Sequence, residues 1–406
     1  MTFDTLPMLL VVAGVVMLSA GARAADLPQV PGATAAEVLI TSTLDGTQQP
    51  SVVVVPEACD PNTPTPLLIG MHTWSADYLQ MVEAYGKLAV GHKWLLVLPN
   101  FRGANKANNP NRLQAGGSVY MQHDIIDAYH YMLDSYKVDA DRVYATGGSG
   151  GGHATLLIVS KYPDLFAAAA AWCPVTDFNE WWQVQNGYAK DVEAVTGGKP
   201  GDSPAMDFEY ARRSPRTFIT NLANVPVMLG HGDRDGTIPV EQSWETFRRL
   251  GPLPAHKMYF YGFSGGHTAK AEYGLDWCQS FVRSHQPPTE LHLVTDESKP
   301  YYWAELVMAD PERLATCDLK LAEDVLGVTC ANLSGLKLDL SGLTLPDGGL
   351  TVSVRNDAPL QLTIQGLPAG AKLDPAVEWA QATGGEGALA LTVQPSEEAR
   401  SLRLAY

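Results

Sequence analysis

The middle of the chain carries a serine in a setting suited to nucleophilic catalysis. Ser149 lies in a Gly-Gly-Ser-Gly-Gly segment at 147–151, which fits the pattern G-x-S-x-G. The apolar run Val143–Thr146 precedes this segment and a helical pattern, His153–Tyr162, follows it. A nucleophile on a sharp turn between a strand and a helix needs very small neighbours, because the turn is strained and tightly packed. A phosphate-binding loop would need Gly-Lys-Ser/Thr, which is absent, so the context favours a nucleophile.

Two later segments supply the acid and the base that such a nucleophile requires. A serine hydroxyl is a poor nucleophile until a base removes its proton. Asp235 lies just after the apolar run Val227–Leu229, where an orienting carboxylate belongs. His267 follows the run Met258–Tyr261 in a glycine-rich loop. We expect His267 to be the general base, hydrogen-bonded to Ser149, with Asp235 fixing its tautomer.

Together these motifs resemble one superfamily of hydrolases. The chain is similar to α/β-hydrolases, above all to the prolyl-oligopeptidase-like (dipeptidyl-peptidase-type) catalytic domains and their esterase relatives. The matching pieces are Asn-Phe-Arg-Gly at 100–103, the glycine-rich segment at 147–152, and His-Gly-x-x-Asp-x-x-Ile-Pro at 231–239. The resemblance covers about residues 38–283 and implies that Asp235, rather than Asp233, is the triad acid. We expect no oligopeptidase propeller, because the segment before Val52 is too short to hold one.

The oxyanion that forms during acyl transfer needs two N–H donors. Gly150, which follows the serine, is one candidate. The loop after the apolar run Leu67–Gly70 reads Met-His-Thr-Trp and resembles the His-Gly-Gly segment of esterases. Thr73 and Trp74 replace the two glycines, and the main-chain N–H of either residue remains a candidate for the second donor. We expect His72 to be structural.

An insertion at about 173–225 is rich in aromatic residues. In this fold such an insertion commonly forms the wall or lid of the pocket. The candidates for substrate binding are Trp181, Trp182 and Tyr210, whose rings could stack on sugar or aryl groups. Arg213 could bind a carboxylate. Packing within the core is an equal alternative for any one of the tryptophans, and a surface salt bridge is the main alternative for Arg213.

The pattern of apolar residues predicts how the chain positions these groups. Short apolar runs alternate with helical patterns from Val52 to about Arg283, which predicts a mainly parallel sheet with helices on both faces. After a linker at 284–288 the apolar residues alternate with period two, which predicts a small antiparallel β-sandwich. Taken with the resemblance, which implies an α/β-hydrolase fold, this pattern predicts an α/β-hydrolase domain at 25–285, with the insertion as its lid, and an all-β sandwich domain at 289–406.

Composition excludes several classes of function. The net charge of −16 would repel nucleic acid, and the five cysteines show no zinc-ligand spacing, so we expect neither nucleic-acid binding nor a metal or other cofactor. Cys317 and Cys330 could pair with each other. The apolar run at 9–20, followed by Ala-Arg-Ala at 22–24, predicts a signal peptide at 1–24 and a secreted or periplasmic protein. No later segment is long and apolar enough to cross a membrane.

The leading hypothesis is a secreted serine hydrolase that acts as a carboxylesterase. Its expected substrate is a small-molecule or polymer-borne acyl ester, of the carbohydrate-linked acetyl or feruloyl type. The triad does not distinguish esters from amides, so a serine peptidase of the prolyl-oligopeptidase type is the first alternative. A polyester hydrolase and a non-catalytic polysaccharide-binding protein are the other two, and the oligomeric state is left open.

Overall fold

The computed structural model describes residues 27–253, 256–373, 377–385 and 387–406. The predicted signal peptide at 1–24 lies outside these residues. Within the described part of the chain, no helix combines the length and the apolar character needed to cross a membrane.

An eight-stranded sheet forms the centre of the first unit. Its strands are β1 (Ala33–Thr41), β2 (Gln48–Pro56), β3 (Thr65–Met71), β4 (Leu95–Pro99), β5 (Val138–Gly148), β6 (Ala168–Trp172), β7 (Val227–Gly232) and β8 (Met258–Phe263). The spatial order is β1-β2-β4-β3-β5-β6-β7-β8. Strands β1 and β2 are antiparallel to their neighbours, and the strands from β4 to β8 in this order pair in parallel. The sequence analysis missed β1, because this edge strand is half-exposed along most of its length and shows no apolar run.

Among the described residues, eight α-helices accompany this sheet: α1 (Val82–His92), α2 (Val119–Ser135), α3 (Gly150–Lys161), α4 (Phe178–Gln183), α5 (Ala189–Thr196), α6 (Pro204–Arg212), α7 (Glu241–Leu250) and α8 (Ala271–Cys278). Helices α1 and α8 pack in one apolar core, and α2, α3 and α7 pack in another. Alternate residues of β3 enter the two cores: Ile69 lies in the second and Leu68 in the first. The prediction of a mainly parallel sheet with helices on both faces is therefore confirmed.

The predicted insertion is helical. It contains α4, α5, α6 and a 3₁₀ segment, Pro215–Asn224. Shorter 3₁₀ segments lie at Arg112–Gln114 and Leu340–Gly342.

The second unit is all-β. Its strands are β9 (Glu290–Thr295), β10 (Lys299–Tyr301), β11 (Ala304–Met308), β12 (Ala315–Ala322), β13 (Val325–Ala331), β14 (Leu333–Asp339), β15 (Leu350–Asn356), β16 (Leu360–Gln365), β17 (Lys372–Leu373), β18 (Ala380–Gly385), β19 (Ala388–Val393) and β20 (Ser396–Ala405). One six-stranded sheet has the order β10-β11-β14-β16-β19-β18, and the other has the order β17-β20-β15-β13-β12-β9. Residues from both sheets share one apolar core.

The expectation that this unit is antiparallel throughout is wrong for two strand pairs. Strands β13 and β15 pair in parallel, and so do β14 and β16. The chain alternates between the two sheets from β13 to β16, so strands two apart in sequence become neighbours that run in the same direction. Cys317 and Cys330 lie directly opposite each other on β12 and β13, and both are free thiols in this structure.

A buried ion cluster joins the two units. Lys161, the last residue of α3, donates from Nζ to Oδ2 of Asp296 at 2.8 Å, and both side chains are fully buried. Arg212 Nε donates to the same carboxylate oxygen at 2.9 Å. Nearby, the Asn221 side chain bonds both the N–H and the carbonyl of Val294, at 2.8 and 2.9 Å. Charges buried to this extent are tolerated only when they are paired, so the cluster fixes the contact between the units.

We expect the substitution Asp296→Ala to destabilise the protein strongly, because it leaves the buried Lys161 ammonium without its counter-ion. The free energy of unfolding should fall by about 3–5 kcal/mol, as is typical when one partner of a buried pair is removed. Urea unfolding followed by circular dichroism measures this change. The matched control is Glu305→Ala, which breaks the exposed pair between Lys337 and Glu305 and should cost less than about 1 kcal/mol. Equal effects of the two substitutions would contradict a structural role for the buried cluster.

Candidate active site

Ser149 occupies a strained turn between a strand and a helix. It lies between the end of β5 and the start of α3, with φ 60° and ψ −122°. Its main-chain N–H donates to the carbonyl of Trp172 at 2.8 Å, and its own carbonyl accepts from His153 N at 2.9 Å. A non-glycine residue at such a φ is unfavourable and persists only where its surroundings enforce it. Here the neighbouring strand and the first turn of the helix hold the backbone.

The glycines after Ser149 allow the start of α3 to approach the β3 side of the sheet. A Cβ at Gly150 would lie 2.5 Å from the main-chain N of Trp74. A Cβ at Gly151 would lie 2.6 Å from the carbonyl O of Met71. Any larger residue would separate the helix from the loop after β3. Because of this contact, the N–H groups of Gly150 and Trp74 lie on adjacent stretches of main chain.

Asp235 and His267 form a short hydrogen bond. His267 Nδ1 lies 2.6 Å from Asp235 Oδ2. The other carboxylate oxygen of Asp235 accepts from the N–H groups of Thr237 and Ile238, at 2.8 and 3.0 Å. The Asp235 side chain is fully buried, whereas the His267 side chain is 27% exposed. The carboxylate therefore has a fixed orientation and holds one nitrogen of a ring that solvent can reach.

A second histidine lies behind the carboxylate. His231 Nε2 is 3.3 Å from Asp235 Oδ2, and its Nδ1 is 2.8 Å from the Ser243 hydroxyl. Although burial opposes it, hydrogen bonds from His231, His267 and the two main-chain N–H groups hold the pKa of Asp235 well below its usual range. Burial also disfavours the charged form of His267, but the bond to Asp235 and the nearby Cys173 thiol raise its pKa to about 9. An ionised carboxylate thus stabilises a protonated imidazole.

The structure corrects one predicted contact. Within the part of the chain that the structure describes, Ser149 Oγ forms no hydrogen bond with His267. The His267 ring is instead held on the Asp235 side by the short bond to Nδ1, and it lies in an exposed glycine-rich loop. Such bonds are often long or poorly aligned without substrate and tighten when substrate binds.

The geometry distinguishes between the two candidates for the second oxyanion donor. The Thr73 N–H donates to Oε1 of Gln80 at 2.9 Å, so this N–H is not free, and Thr73 does not fit the role. The N–H groups of Trp74 and Gly150 have no acceptor among the described residues. Trp74 is therefore the candidate that remains beside Gly150. His72 is buried, its two ring nitrogens lie 2.9 Å from the carbonyls of Thr73 and Asn100, and it matches the structural role expected for it.

Two of the aromatic candidates, Trp181 and Tyr210, form a buried cluster with Trp74. Trp74 packs edge-on against Phe178 and Trp181, with ring centroids 5.7 and 4.9 Å apart. Tyr210 lies in the same cluster, and its hydroxyl donates to the carbonyl of Gly198 at 3.0 Å. Trp182 lies at the edge of the cluster, half-buried, and its indole N–H donates to Glu193 Oε1 at 2.8 Å. Trp74, Trp181 and Tyr210 therefore pack as core between the insertion and the oxyanion loop, and Trp182 is the more accessible ring.

Arg213 does not reach a substrate-facing position. Its guanidinium is buried and donates to the carbonyls of Ala115 and Val195, both at 2.9 Å, and to Glu209 Oε2, also at 2.9 Å. These bonds link the insertion to the segment before α2. The candidate role in carboxylate binding is replaced by a structural one, because the donors are already used.

The insertion also supports the loop that carries Asp235. Trp181 Nε1 and Asn186 Nδ2 both donate to the carbonyl of Thr237, at 3.2 and 3.0 Å. The N–H of Thr237 in turn donates to Asp235. Trp181 thus acts on the site through the acid loop, which the sequence analysis did not anticipate.

Cys173 is the site residue that the sequence analysis missed. It follows β6 directly and is buried, and its Sγ lies 3.4 Å from the carbonyl of Thr268. One donor atom each from Cys173, Asp235 and His267 lie within 4.8 Å of one another. The sequence signal was a cysteine at the carboxyl end of a predicted strand, at the same edge of the sheet as the other site residues.

Comparison with known proteins shows what the middle of the chain is similar to. Residues 94–282 match the model of the prolyl oligopeptidase family, Peptidase S9. The acylamino-acid-releasing enzyme of Rattus norvegicus is 27% identical over 168 residues, which are 38% of this chain and 22% of the rat enzyme. Feruloyl esterase B of Thermothelomyces thermophilus is 25% identical over 177 residues, which are 42% of this chain and 56% of the esterase.

The structural comparison supports the same fold. The structure of uncomplexed acylaminoacyl peptidase from Pyrococcus horikoshii superposes with a TM-score of 0.51 and 18% identity, covering 63% of this chain and 43% of that one. In the sequence comparisons, the chain spans about a fifth of the length of the rat enzyme and about half of the length of the fungal esterase. The first unit has the α/β-hydrolase fold.

We expect the imidazole of His267 to titrate above its ordinary pKa of 6.5 and toward about 9, because the ionised Asp235 favours the charged ring. A pH titration followed by NMR of labelled histidine measures this pKa without a substrate. Asp235→Asn should lower it, since the negative charge is removed. Asp233→Asn is the matched control, because Asp233 is exposed and bonds only its neighbouring loop, and it should leave the pKa unchanged. A wild-type value below 6.5 would contradict the proposed pairing.

Proposed function

We propose that this protein hydrolyses an acyl substrate through an acyl-enzyme on Ser149, and the match of residues 94–282 to the model of the prolyl oligopeptidase family, Peptidase S9, supports this proposal. The observation that carries the proposal is the 2.6 Å bond between His267 and a buried Asp235, at the same edge of the sheet as a serine on a strained turn. A serine, a histidine and an orienting carboxylate are the groups that acyl transfer requires.

In the proposed first step, Ser149 Oγ attacks the carbonyl carbon of the substrate. His267 Nε2 accepts the serine proton, and Asp235 stabilises the imidazolium that forms. The N–H groups of Gly150 and Trp74 bind the developing oxyanion, and the start of α3 adds to this stabilisation. The proton then passes from His267 to the leaving oxygen or nitrogen, and the bond to the leaving group breaks.

In the second step, water takes the place of the leaving group. His267 removes a proton from the water, the oxygen attacks the acyl carbon, and the ester bond to Ser149 breaks as Oγ regains its proton. The raised pKa of His267 has a consequence for this scheme. The ring must be neutral to accept a proton, so activity falls as the pH drops through the pKa of His267.

The proposed substrate class is an acyl ester, with carbohydrate-linked acetyl or feruloyl esters preferred. The similarity to Feruloyl esterase B supports this preference, as does the esterase-like oxyanion loop. A polyester is a further ester substrate that the same chemistry would accept.

A serine peptidase is the second candidate. Its support is the similarity to acylamino-acid-releasing enzymes and acylaminoacyl peptidase. The names of both groups of relatives point to substrates that carry an acyl group. An acylated amine and an acyl ester would pass through the same tetrahedral intermediate, so the leaving group distinguishes the two candidates.

Localisation is a separate proposal. We propose that the protein is exported and that cleavage after Ala24 leaves Ala25 as the mature N-terminus. Cell fractionation with N-terminal sequencing of the product tests this.

We expect Ser149→Ala to lose essentially all hydrolysis of p-nitrophenyl acetate and all labelling by a fluorophosphonate probe, because no other group forms the acyl-enzyme. Asp235→Asn should lower kcat by roughly 10⁴, the effect of losing the correct histidine tautomer. Asp233→Asn is the control and should stay close to wild type. If Ser149→Ala retained wild-type activity, the assignment of Ser149 as nucleophile would be wrong. If Asp233→Asn lost more activity than Asp235→Asn, Asp233 rather than Asp235 would be the triad acid.

A substrate panel distinguishes the two candidates. Acetylated xylan, feruloylated xylan and a polyester film test esters, and N-acetyl-aminoacyl anilides test acylated amides. Gly-Pro anilide, which has a free amino terminus, is the control for dipeptidyl-peptidase activity. We expect kcat/KM to be highest for an acyl ester. A higher kcat/KM for N-acetyl-aminoacyl anilides would favour the peptidase instead.

A further inference from the structure

Three side chains that can bind a metal ion meet beside the catalytic histidine. One donor atom each from Cys173, Asp235 and His267 lie within 4.8 Å of one another. The three residues follow β6, β7 and β8, which are neighbours in the sheet. Their separation in sequence explains why the cysteine spacing gave no sign of a metal site. From this cluster we propose that Cys173, Asp235 and His267 form an inhibitory Zn²⁺ site.

The types of donor favour zinc over the common alkaline-earth ions. Thiolate, imidazole and carboxylate are all zinc ligands, with bonds of about 2.0–2.3 Å. A tetrahedral ion with such bonds keeps its ligand atoms about 3.3–3.8 Å apart. The 2.6 Å hydrogen bond between His267 and Asp235 must open by about 1 Å to reach this geometry, and no two donor atoms of the cluster lie more than 4.8 Å apart, so small side-chain movements suffice to hold Zn²⁺. Mg²⁺ and Ca²⁺ prefer oxygen ligands, so they lack suitable partners here.

The charges of the three ligands also suit a divalent cation. A thiolate and a carboxylate together carry two negative charges, which balance Zn²⁺ when the histidine is neutral. The thiol proton leaves for solvent as the Zn–S bond forms, and at a pH below its raised pKa His267 must also release one ring proton before its nitrogen binds the ion. The net charge of −16 on the whole chain raises the local concentration of cations.

Two of the ligands are already fixed in place. The Asp235 carboxylate is held by the N–H groups of Thr237 and Ile238, which leaves Oδ2 directed at His267. Cys173 has a positive φ of 43°, and its N–H donates to the carbonyl of Gly230 at 2.7 Å. Such outer contacts orient ligands and strengthen metal binding. Cys173 is only 1% exposed and the His267 side chain is 27% exposed, so an ion would enter from the histidine side.

Zinc at this position would stop hydrolysis. A His267 nitrogen that binds Zn²⁺, and a ring held against Cys173, no longer serve Ser149 as a general base. The fourth zinc position would be taken by water. This effect on activity rests on the proposed function, whereas the metal site itself does not.

The site is tested first without catalysis, in a Ser149→Ala background. Co²⁺ replaces Zn²⁺ as a spectroscopic probe, because a cobalt–thiolate bond gives a charge-transfer band in the near ultraviolet. We expect this band in Ser149→Ala and expect it to be absent when Cys173→Ala is added. Cys59→Ser is the matched control, since Cys59 is a more exposed thiol away from the cluster, and it should retain the band. An unchanged band in the Cys173→Ala protein would overturn the proposal.

The effect on hydrolysis is tested with Zn²⁺ titrations of the full-length enzyme and p-nitrophenyl acetate. Each protein is compared with its own rate without zinc. The zinc concentration for half-inhibition should rise by roughly tenfold or more in Cys173→Ala and stay unchanged in Cys59→Ser. EDTA should restore activity in the wild type. Equal inhibition of Cys173→Ala and the wild type would overturn the proposal.

Two further measurements cover the cases in which a variant unfolds or the enzyme is inactive. Cys173→Ser preserves the volume of the side chain and replaces Cys173→Ala if the smaller residue unfolds the protein, as judged by circular dichroism. If the wild type hydrolyses no substrate in the panel, the proposed function fails, but the cobalt band still decides the metal site. A cobalt band that depends on Cys173, without zinc inhibition of an active enzyme, would refute the inhibitory role.

Discussion

The close contact between the start of α3 and the loop after β3 is the constraint on which the site depends. Ser149 adopts its positive φ because the first turn of the helix must begin directly against the sheet. Glycine at 150 and 151 is what allows that approach, since a Cβ at either position would meet main-chain atoms. The same contact sets the N–H of Trp74 beside the N–H of Gly150. One steric requirement thus presents Ser149, the proposed nucleophile, and sets the two proposed oxyanion donors side by side.

The acid side of the site depends on a second set of contacts. Asp235 is oriented by two N–H groups of its own loop, and the carbonyl of Thr237 in that loop accepts from Trp181 and Asn186 of the insertion. Trp181 and Asn186 of the insertion therefore stabilise the geometry of the acid loop. A substitution at Trp181 would reach His267 through Thr237 and Asp235, although the indole is buried away from the imidazole.

Local patterns in the sequence identified much of this arrangement, and the gaps have physical causes. The glycine-rich turn and the apolar runs predict Ser149 and the parallel sheet, because strand ends and tight turns leave local signatures. The structural role of Arg213 could not be predicted from the sequence, because the carbonyls that accept its hydrogen bonds lie about 18 and 98 residues away along the chain. The sequence position of Cys173 does not indicate a site, because Cys173 meets Asp235 and His267 only when the fold makes β6, β7 and β8 neighbours. The parallel pairs of the second unit follow from a chain that alternates between sheets, which an alternating pattern does not reveal.

Helix α3 connects the nucleophile to the second unit. Ser149 directly precedes its first residue, and Lys161, its last residue, is bound to Asp296 after β9. A buried ammonium and carboxylate hold each other in one geometry, since either charge alone would be costly in that position. The helix is therefore fixed at both ends, by the sheet at Ser149 and by the all-β unit at Lys161. If the second unit served only to bring a substrate close to the site, it would not need to bury charged partners against helix α3. These contacts therefore favour a structural role for the second unit, in which it helps to keep the turn at Ser149 in place.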